Sequence, residues 1–246
     1  MSDPFQIKRE LRYGAPVCDE ILTGRYFTIG YSWYFRQAKW VLETVNPNSM
    51  FDWEVERKDH FRADIRIPRR FRAGLKAYEG SGYDRGHLSA SANQDELEIQ
   101  NSETFLLSNM SPQKAGLNRG IWKRLEGAVR KLNESKSILE TFVLTAPVFY
   151  FDKKIETIGD ETDKYGIDVP VPHAFVKSVL AEDNRGRLKL WTIEVENKKL
   201  PGEIEDYLVV TYDAEQKVGG KFWDRVAGSD LHSQKRKSRK MWDYSE

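Results

Sequence analysis

The chain has 246 residues, 39% of them hydrophobic, which is enough for one sizeable core and excludes a disordered or fibrous protein. Lysine and arginine number 39 and aspartate and glutamate 38, so only local clusters of charge can indicate a charged partner. Cys18 is the only cysteine, which excludes an intrachain disulfide and a multi-cysteine metal site. No stretch reaches the roughly 18 consecutive apolar residues of a membrane helix, and the N-terminus lacks the pattern of a signal peptide. We therefore expect a cytoplasmic protein with no membrane partner.

The predicted elements are strands with one long helix between them. Apolar residues recur at helical spacing from Ile121 to Leu132, which predicts an amphipathic helix that ends near Asn133. Pro147 is expected to close the strand that follows this helix, and the turn-like sequence at 183–186 is expected to join the last two strands as a hairpin. Aromatic and β-branched runs of suitable length predict strands at 26–32, 40–45, 139–145, 171–180 and 188–196.

These elements indicate an α+β fold, with a mixed, largely antiparallel central β-sheet flanked by helices. No repeat or linker divides the chain, so we expect one domain over residues 1–230, with a last element near 222–226. Residues 231–246 include the sequence KRKSRK and predict a basic, solvated C-terminal tail. Contact between this tail and nucleic acid is the alternative.

Basic residues are concentrated in two segments. Residues 57–85 contain nine basic side chains and four acidic ones, and residues 114–136 contain seven and two. Two such segments on either side of a short region are typical of phosphate binding, because neutralising phosphates releases counterions. Two solvated helix and loop faces would give the same charge pattern. Charge alone therefore leaves both interpretations open.

Residues suited to catalysis lie in two stretches, 82–93 and 103–126. The first contains Asp84-Arg85-Gly86-His87, and the second contains Asn109, Asn118 and Glu126. Together they resemble the DNA/RNA non-specific endonuclease family, the ββα-metal nucleases that include mitochondrial endonuclease G. The resemblance covers roughly residues 11 to 226. This chain departs from the family pattern at Ala146, where glycine is usual, and at 89–91, where Ser-Ala-Ser stands in a region that usually holds a proline.

The resemblance implies that His87 is the general base, a role that suits an imidazole whose ordinary pKa is near 6.5. It implies that Asn118 is the ligand of Mg²⁺, with Mn²⁺ as the alternative ion, because an amide oxygen is a hard neutral donor. A helix N-cap is the competing role for Asn118. Glu126 would lie about 12 Å further along a helix, so we expect it to hydrogen-bond a water of the ion's shell. The competing role for Glu126 is a surface pair with Lys123 or Arg130.

The remaining site residues are assigned supporting or binding roles. Asn109 either orients His87 or the scissile phosphate, or only fixes a turn before Pro112. Asp84 is expected to anchor its loop, and Gly86 to allow a close turn that exposes His87. Guanidinium groups match phosphate oxygens, so arginines are the main candidates for contact with nucleic acid. These candidates are Arg57, Arg85, Arg62, Lys114 and Arg119, and the assignment of Arg57 is weakened by its neighbours Arg62 and Arg66.

The resemblance implies a Mg²⁺-dependent endonuclease that hydrolyses DNA and RNA with little sequence preference and leaves 5′-phosphate and 3′-hydroxyl ends. Two alternatives stay open: a catalytically silent nucleic-acid-binding module on the same scaffold, and a sequence-specific nuclease of the related histidine-metal type. The expected partners are DNA and RNA. A homodimer, and an inhibitor or activating partner that protects the cell, are further partners that this activity suggests.

Overall fold

The structure is a computed structural model that describes residues 8–46, 55–159, 166, 168–226 and 229–244. The strands are β1 (Glu20–Thr23), β2 (Phe27–Ser32), β3 (Gln37–Thr44), β4 (Asp84–His87), β5 (Met110–Gln113), β6 (Ile138–Val148), β7 (Thr157–Gly159), β8 (Asp168–Pro170), β9 (Ala174–Asp183) and β10 (Leu188–Glu196). The helices are α1 (Glu98–Thr104), α2 (Ala115–Leu117), α3 (Lys123–Asn133), α4 (Thr211–Val218) and α5 (Ser229–Lys235). A π-helical turn, Asn118–Trp122, joins α2 to α3.

Six strands form one antiparallel sheet in the order β1-β2-β3-β6-β9-β10, while β4-β5 and β7-β8 form two separate ribbons. The predicted α+β fold with a largely antiparallel sheet is confirmed, and so is the hairpin between β9 and β10. The strand predicted to end before Pro147 continues to Val148. Pairing between β6 and β3 ends at Thr145, so no hydrogen bond to β3 is lost because Pro147 has no N–H.

Both faces of the sheet are covered. On one face Val41 and other residues pack against α3, which contributes Leu125 and Val129. On the other face Trp40 and Leu42 belong to a second cluster that includes residues of the C-terminal helices. Because both faces are buried, the central strands show near-continuous apolar runs. The active-site elements described below lie on the α3 face.

The predicted long helix begins as an α-helix two residues later than expected. The α-helix begins at Lys123, and Ile121 and Trp122 belong to the π-helical turn that precedes it. Gly120 has φ −102° and ψ −117°, which interrupts the helical path within the turn. The residue that interrupts the helical path thus lies between Asn118 and α3, so Asn118 and Glu126 do not belong to one continuous helix.

The C-terminal segment is only partly solvated: residues 236–240 of the basic sequence are exposed, as predicted, but residues on either side of them are packed. Leu231 and Trp242 are buried, and the indole N–H of Trp242 donates a hydrogen bond to the carbonyl of Ala128 in α3 (2.9 Å). Lys235 is also buried, with its ammonium 2.7 Å from the carboxylate of Glu215. The element expected near 222–226 is a turn between α4 and α5. The division into a domain over 1–230 and a segment over 231–246 stays a prediction.

Within the described ranges, none of the helices combines the length and the apolar character that crossing a membrane requires. Residues 1–7, which entered the prediction about export, lie outside the described residues.

Candidate active site

The centre of the candidate site is the ribbon of β4 and β5, in which Asp84 pairs with Gln113 and His87 with Met110. Gly86 lies within β4, so the predicted close turn at this residue is wrong. A Cβ at Gly86 would lie 2.1 Å from the amide oxygen of Gln113, which is fully buried. The glycine is therefore required by the close approach of Gln113, and His87 follows it as the last residue of β4.

His87 is almost completely buried, with 9% of its surface exposed. Its ring lies edge-on to Phe105 (4.9 Å between centroids) and close to Phe61 (5.7 Å). Among the described residues, Nε2 is buried with no hydrogen-bond partner. Burial, and secondarily the positive charge of Arg57, lower the pKa of His87 to about 3. The imidazole is therefore neutral at pH 7, which is the protonation state that a general base requires.

Asn109 holds the chain that follows His87. Its amide oxygen accepts a hydrogen bond from the backbone N–H of Ser89 (2.9 Å), and its amide nitrogen donates to the carbonyls of Ser89 (3.0 Å) and Thr104 (2.9 Å). The side chain is fully buried. Of the roles proposed for Asn109, this geometry favours orientation of the His87 segment.

Asn118 and Arg119 are both attached to Asp84. The amide nitrogen of Asn118 donates to the Asp84 carboxylate (3.0 Å), and the Arg119 guanidinium makes two hydrogen bonds to it (2.9 and 2.8 Å). Partial burial would raise the pKa of Asp84, but the bonds from Arg119 and Asn118 lower it overall. These contacts orient the Asn118 side chain, and its amide oxygen accepts no hydrogen bond from any described residue.

The alternative role of Asn118 as a helix N-cap is wrong. The residue has helical backbone angles and makes no capping hydrogen bond, because it lies inside the run of helical turns. In the part of the chain that the structure describes, no three histidine, cysteine, aspartate or glutamate side chains are grouped to hold a metal ion. One amide oxygen plus retained waters suits Mg²⁺, which needs few protein ligands. Asn118 therefore fits a site of this kind.

Glu126, on α3, is half-buried and has no hydrogen bond or ion pair with another described residue. The competing prediction, a pair with Lys123 or Arg130, is wrong, and Arg130 donates to Asn93 instead (3.2 Å). Burial raises the pKa of Glu126 to about 7, even though Lys177, Arg130 and Arg57 act in the opposite direction. The carboxylate is thus free to bind a water or another ligand.

Two aromatic rings connect His87 with the arginines predicted to bind phosphate. The guanidinium carbon of Arg57 lies 5.2 Å from the ring centroid of Phe105, and that of Arg85 lies 4.4 Å from Phe61. The same two rings contact His87. Arg57 also bonds Asp59 (2.8 Å) and Ser91 (3.3 Å) but keeps more than half of its side chain exposed. Both arginines therefore lie beside the imidazole.

The other predicted cations differ in availability. Lys114 is exposed, with its ammonium 3.8 Å from the ring centroid of Tyr83, next to Asp84. Arg62 donates to the carbonyls of His60 (3.1 Å) and Ser102 (2.9 Å), which gives it a structural role. Arg66, which together with Arg62 was expected to compete with Arg57 for phosphate, pairs with Asp64 (2.6 Å). Arg119 is exposed, although its guanidinium is already paired with the Asp84 carboxylate.

Sequence reasoning missed Glu43 and Lys177, which lie beneath the site. Both are fully buried, on β3 and β9. The available signal was a charged residue inside each of two strands predicted to be buried. Glu43 accepts hydrogen bonds from Ser89 (2.7 Å) and Asn93 (3.2 Å), and the ammonium of Lys177 donates to the hydroxyl of Thr145 (2.9 Å).

Comparison with known proteins decides the family. The family model described as DNA/RNA non-specific endonuclease matches residues 9–229. This chain is a member of the DNA/RNA non-specific endonuclease family. It is 32% identical to mitochondrial endonuclease G of Caenorhabditis elegans, over 82% of this chain and 67% of that protein. It is 30% identical to nuclease C1 of Cunninghamella echinulata var. echinulata, over 90% of both chains.

A solved structure supports the same assignment. The crystal structure of an EndoG/EndoGI complex matches this non-specific endonuclease with a TM-score of 0.82 and 30% identity, over 92% of this chain and 95% of that chain. The predicted family and the predicted fold are both confirmed. The protein is accordingly a nuclease, a hydrolase that acts on nucleic acids, and its family is metal-dependent.

Proposed function

We propose that the chain is a Mg²⁺-dependent endonuclease in which His87 is the general base and Asn118 the metal ligand. One observation carries the proposal: the turn Asn118–Trp122 is attached to both ends of β4. Asn118 bonds Asp84 at one end, and the indole N–H of Trp122 donates to the His87 carbonyl at the other (3.4 Å). The free amide oxygen and the unpartnered imidazole nitrogen therefore lie on two adjoining elements held in fixed relation.

In this mechanism the neutral His87 accepts a proton from the attacking water. With a pKa of about 3 in the absence of substrate, His87 would be a weak base. The phosphate anion of the substrate raises the pKa of a neighbouring imidazole, so the base becomes stronger when nucleic acid is bound. Arg57 and Arg85 pair with non-bridging oxygens and neutralise charge at phosphorus.

Mg²⁺, with Mn²⁺ as the alternative, would be held by the amide oxygen of Asn118 and supply positive charge to the phosphate and the departing oxygen. Glu126 would accept a hydrogen bond from a water at this position. Attack on phosphorus with departure of the 3′ oxygen leaves 5′-phosphate and 3′-hydroxyl ends. Asn109 keeps the His87 segment in place, and the exposed cations Lys114 and Arg119 would contact the backbone of a longer substrate.

The test is cleavage of matched DNA and RNA substrates by the purified chain, with Mg²⁺, Mn²⁺ or EDTA. His87→Ala should lose several orders of magnitude in cleavage while keeping its folding and its binding of nucleic acid, because general-base catalysis acts on the chemical step. The matched control is His232→Ala, an exposed histidine on α5, which should cleave normally.

Each alternative has its own outcome. Near-normal cleavage by His87→Ala would refute the assignment of the base, and normal cleavage by Asn118→Ala at limiting Mg²⁺ would refute the ligand. Binding without cleavage by the wild type would identify a silent module. Discrete fragments of a long substrate, in place of a smear, would identify a sequence-specific nuclease.

We also propose that the chain acts in the cytoplasm and is restrained by a protein partner. The single cysteine, Cys18, is unpaired, which suits a reducing compartment. Several relatives are named as mitochondrial, so recovery of the chain in a mitochondrial fraction would overturn the proposed location.

The structural relative was solved with EndoGI in a complex that concerns inhibition, which supports an inhibitor as the partner class. Size-exclusion chromatography with light scattering tests the homodimer.

A further inference from the structure

The C-terminal segment brings exposed positive charges to one edge of the central sheet. Strand β10 is an edge strand of this sheet. The chain passes its outer edge after α5, because Leu231 of α5 packs on one face of the sheet and Trp242 packs on the other. Between these two anchors residues 236–240 are exposed, and four of the five are basic: Arg236, Lys237, Arg239 and Lys240. The basic sequence is therefore part of the folded surface.

Hydrogen bonds fix this segment against β10. Just before it, the side-chain amide of Gln234 makes two hydrogen bonds to the backbone of β10 (3.1 and 3.0 Å). Within it, the carbonyl of Lys240 accepts a hydrogen bond from the indole N–H of Trp191 (2.9 Å). The guanidinium carbon of Arg239 lies 5.5 Å from the centroid of the same indole ring. These contacts hold the chain in place while the charged groups of Lys240 and Arg239 stay exposed.

The start of β10 adds a further cation to this surface. Lys189 and Arg239 line one cavity of about 620 Å³, together with Arg187 and Asp230. Arg187 is paired with Asp183 (2.8 Å), and Asp230 accepts a hydrogen bond from within α5 (3.1 Å). We call the remaining cations the basic edge, and none of them has an ion pair with another described residue: Lys189, Arg236, Lys237, Arg239 and Lys240.

The chemistry of the basic edge fits a nucleic acid better than a protein or a membrane. Of the large hydrophobic side chains that are exposed in the described ranges, none lies in 184–189 or 230–240. Protein interfaces are anchored by large side chains that become buried, and firm membrane contact also needs inserted apolar groups. Phosphate binding needs only lysine and arginine, because the release of counterions drives it. Nucleic acid is the polyanion on which this nuclease acts.

We propose that the basic edge is a second contact surface for nucleic acid, which binds the phosphate backbone of the substrate outside the active site. The edge adjoins the helix of that site. Trp242, two residues after Lys240, donates its indole N–H to the carbonyl of Ala128 in α3, and Glu126 precedes Ala128 by two residues. A bound strand that leaves the active site along α3 would meet the basic edge next. The proposal rests on the nuclease function and does not depend on which residues carry out the chemical step.

The test measures how salt affects the binding of double-stranded DNA of mixed sequence, by fluorescence anisotropy in EDTA. All chains carry His87→Ala, so that the DNA stays intact. Lys237→Gln combined with Lys240→Gln removes two charges of the basic edge and keeps the backbone hydrogen bond to Trp191. The slope of log affinity against log salt should become shallower by about 0.9 per lost phosphate contact, or about 1.8 in the double variant. Affinity near about 0.1 M salt should fall about tenfold or more.

Lys153→Gln combined with Lys217→Gln is the matched control, because it removes two exposed lysines elsewhere. Both lie near Tyr150, on the face of the sheet opposite α3. This pair should leave the salt slope and the affinity close to those of the parent chain. Urea unfolding should give the same free energy for the basic-edge variant as for its parent.

Cleavage with Mg²⁺ supplies a second readout, in chains that keep His87. The basic-edge variant should raise KM for long DNA about tenfold and leave kcat unchanged, because the lost contacts are to phosphates away from the reacting one. A fall in kcat with KM unchanged would overturn the proposal.

An unchanged salt slope in the basic-edge variant, or an equal change in the control pair, would also overturn the proposal. So would a loss of affinity for a polyglutamate peptide with unchanged affinity for DNA, which would identify a surface for acidic proteins. Failure of the proposed function is distinguishable from these results. It would be seen as no metal-dependent cleavage by the wild type, whereas the salt slopes are measured without cleavage.

Discussion

The burial of His87 predicts how the stability of the chain depends on pH. Burial and the charge of Arg57 lower its pKa from 6.5 to about 3 in the folded chain. Between these values the unfolded chain binds a proton that the folded chain does not, so the contribution of His87 to stability is lost as the pH falls below 6.5. The loss is about 1.4 kcal/mol per pH unit, or about 2 kcal/mol at pH 5. This magnitude depends only on the unfolded pKa as long as the folded pKa lies well below 5.

The measurement is urea unfolding of the wild type and His87→Asn at pH 7 and pH 5. The free energy of unfolding of the wild type, minus that of the variant, should decrease by about 2 kcal/mol between the two pH values. The subtraction matters because Glu126, whose pKa is raised to about 7, becomes more favourable to folding as the pH falls and masks the effect in the wild type. A difference that is equal at both pH values would mean that folded His87 titrates normally, and the burial argument would be refuted.

Three further substitutions test other parts of the structure. Asp84→Ala removes the acceptor that orients Asn118, so the Mg²⁺ concentration for half-maximal cleavage should rise about tenfold or more, and an unchanged metal titration would contradict that role. Gly86→Ala should lower the free energy of unfolding, measured in urea, by about 1–3 kcal/mol because the new Cβ meets the side chain of Gln113. Adding Gln113→Ala to the same chain should restore part of this loss, and an absence of any recovery would mean that the loss has another cause. Trp242→Ala should lower the free energy of unfolding, measured in urea, by about 3 kcal/mol because the indole is buried against α3. If Trp242 were solvated, the change would be below about 0.5 kcal/mol.

The sheet was predictable because its signals are local. The hairpin of β9 and β10 follows from two apolar runs and a turn sequence, and the strand predicted at 188–196 has the bounds observed, Leu188–Glu196. The residues brought together at the site, His87 and Asn118 among them, came from the resemblance to a family. Neither composition nor sequence spacing shows that Asp84, on the same strand as His87, accepts a hydrogen bond from Asn118.

The parts that were missed depend on contacts between residues far apart in the sequence. The π-helical turn ends at Trp122, whose indole reaches the carbonyl of His87 across 35 residues of sequence. Trp242 bonds Ala128 across 114 residues, which no local pattern of charge in the C-terminal segment could reveal. Gly86 was assigned to a turn from its backbone freedom, whereas the decisive factor is the side chain of Gln113 on the neighbouring strand.

The departure from the family pattern at residues 89–91 is explained by hydrogen bonds. Ser89 donates its backbone N–H to Asn109 and its hydroxyl to Glu43, and Ser91 accepts a hydrogen bond from Arg57. A proline at position 89 would have neither donor, and one at position 91 would have no hydroxyl. The segment after His87 is therefore held by polar contacts to the buried carboxylate of Glu43 and to Arg57, a phosphate-binding candidate. Ser89 and Ser91 thus supply hydrogen bonds that a proline could not, and these bonds fix the chain directly after the proposed base.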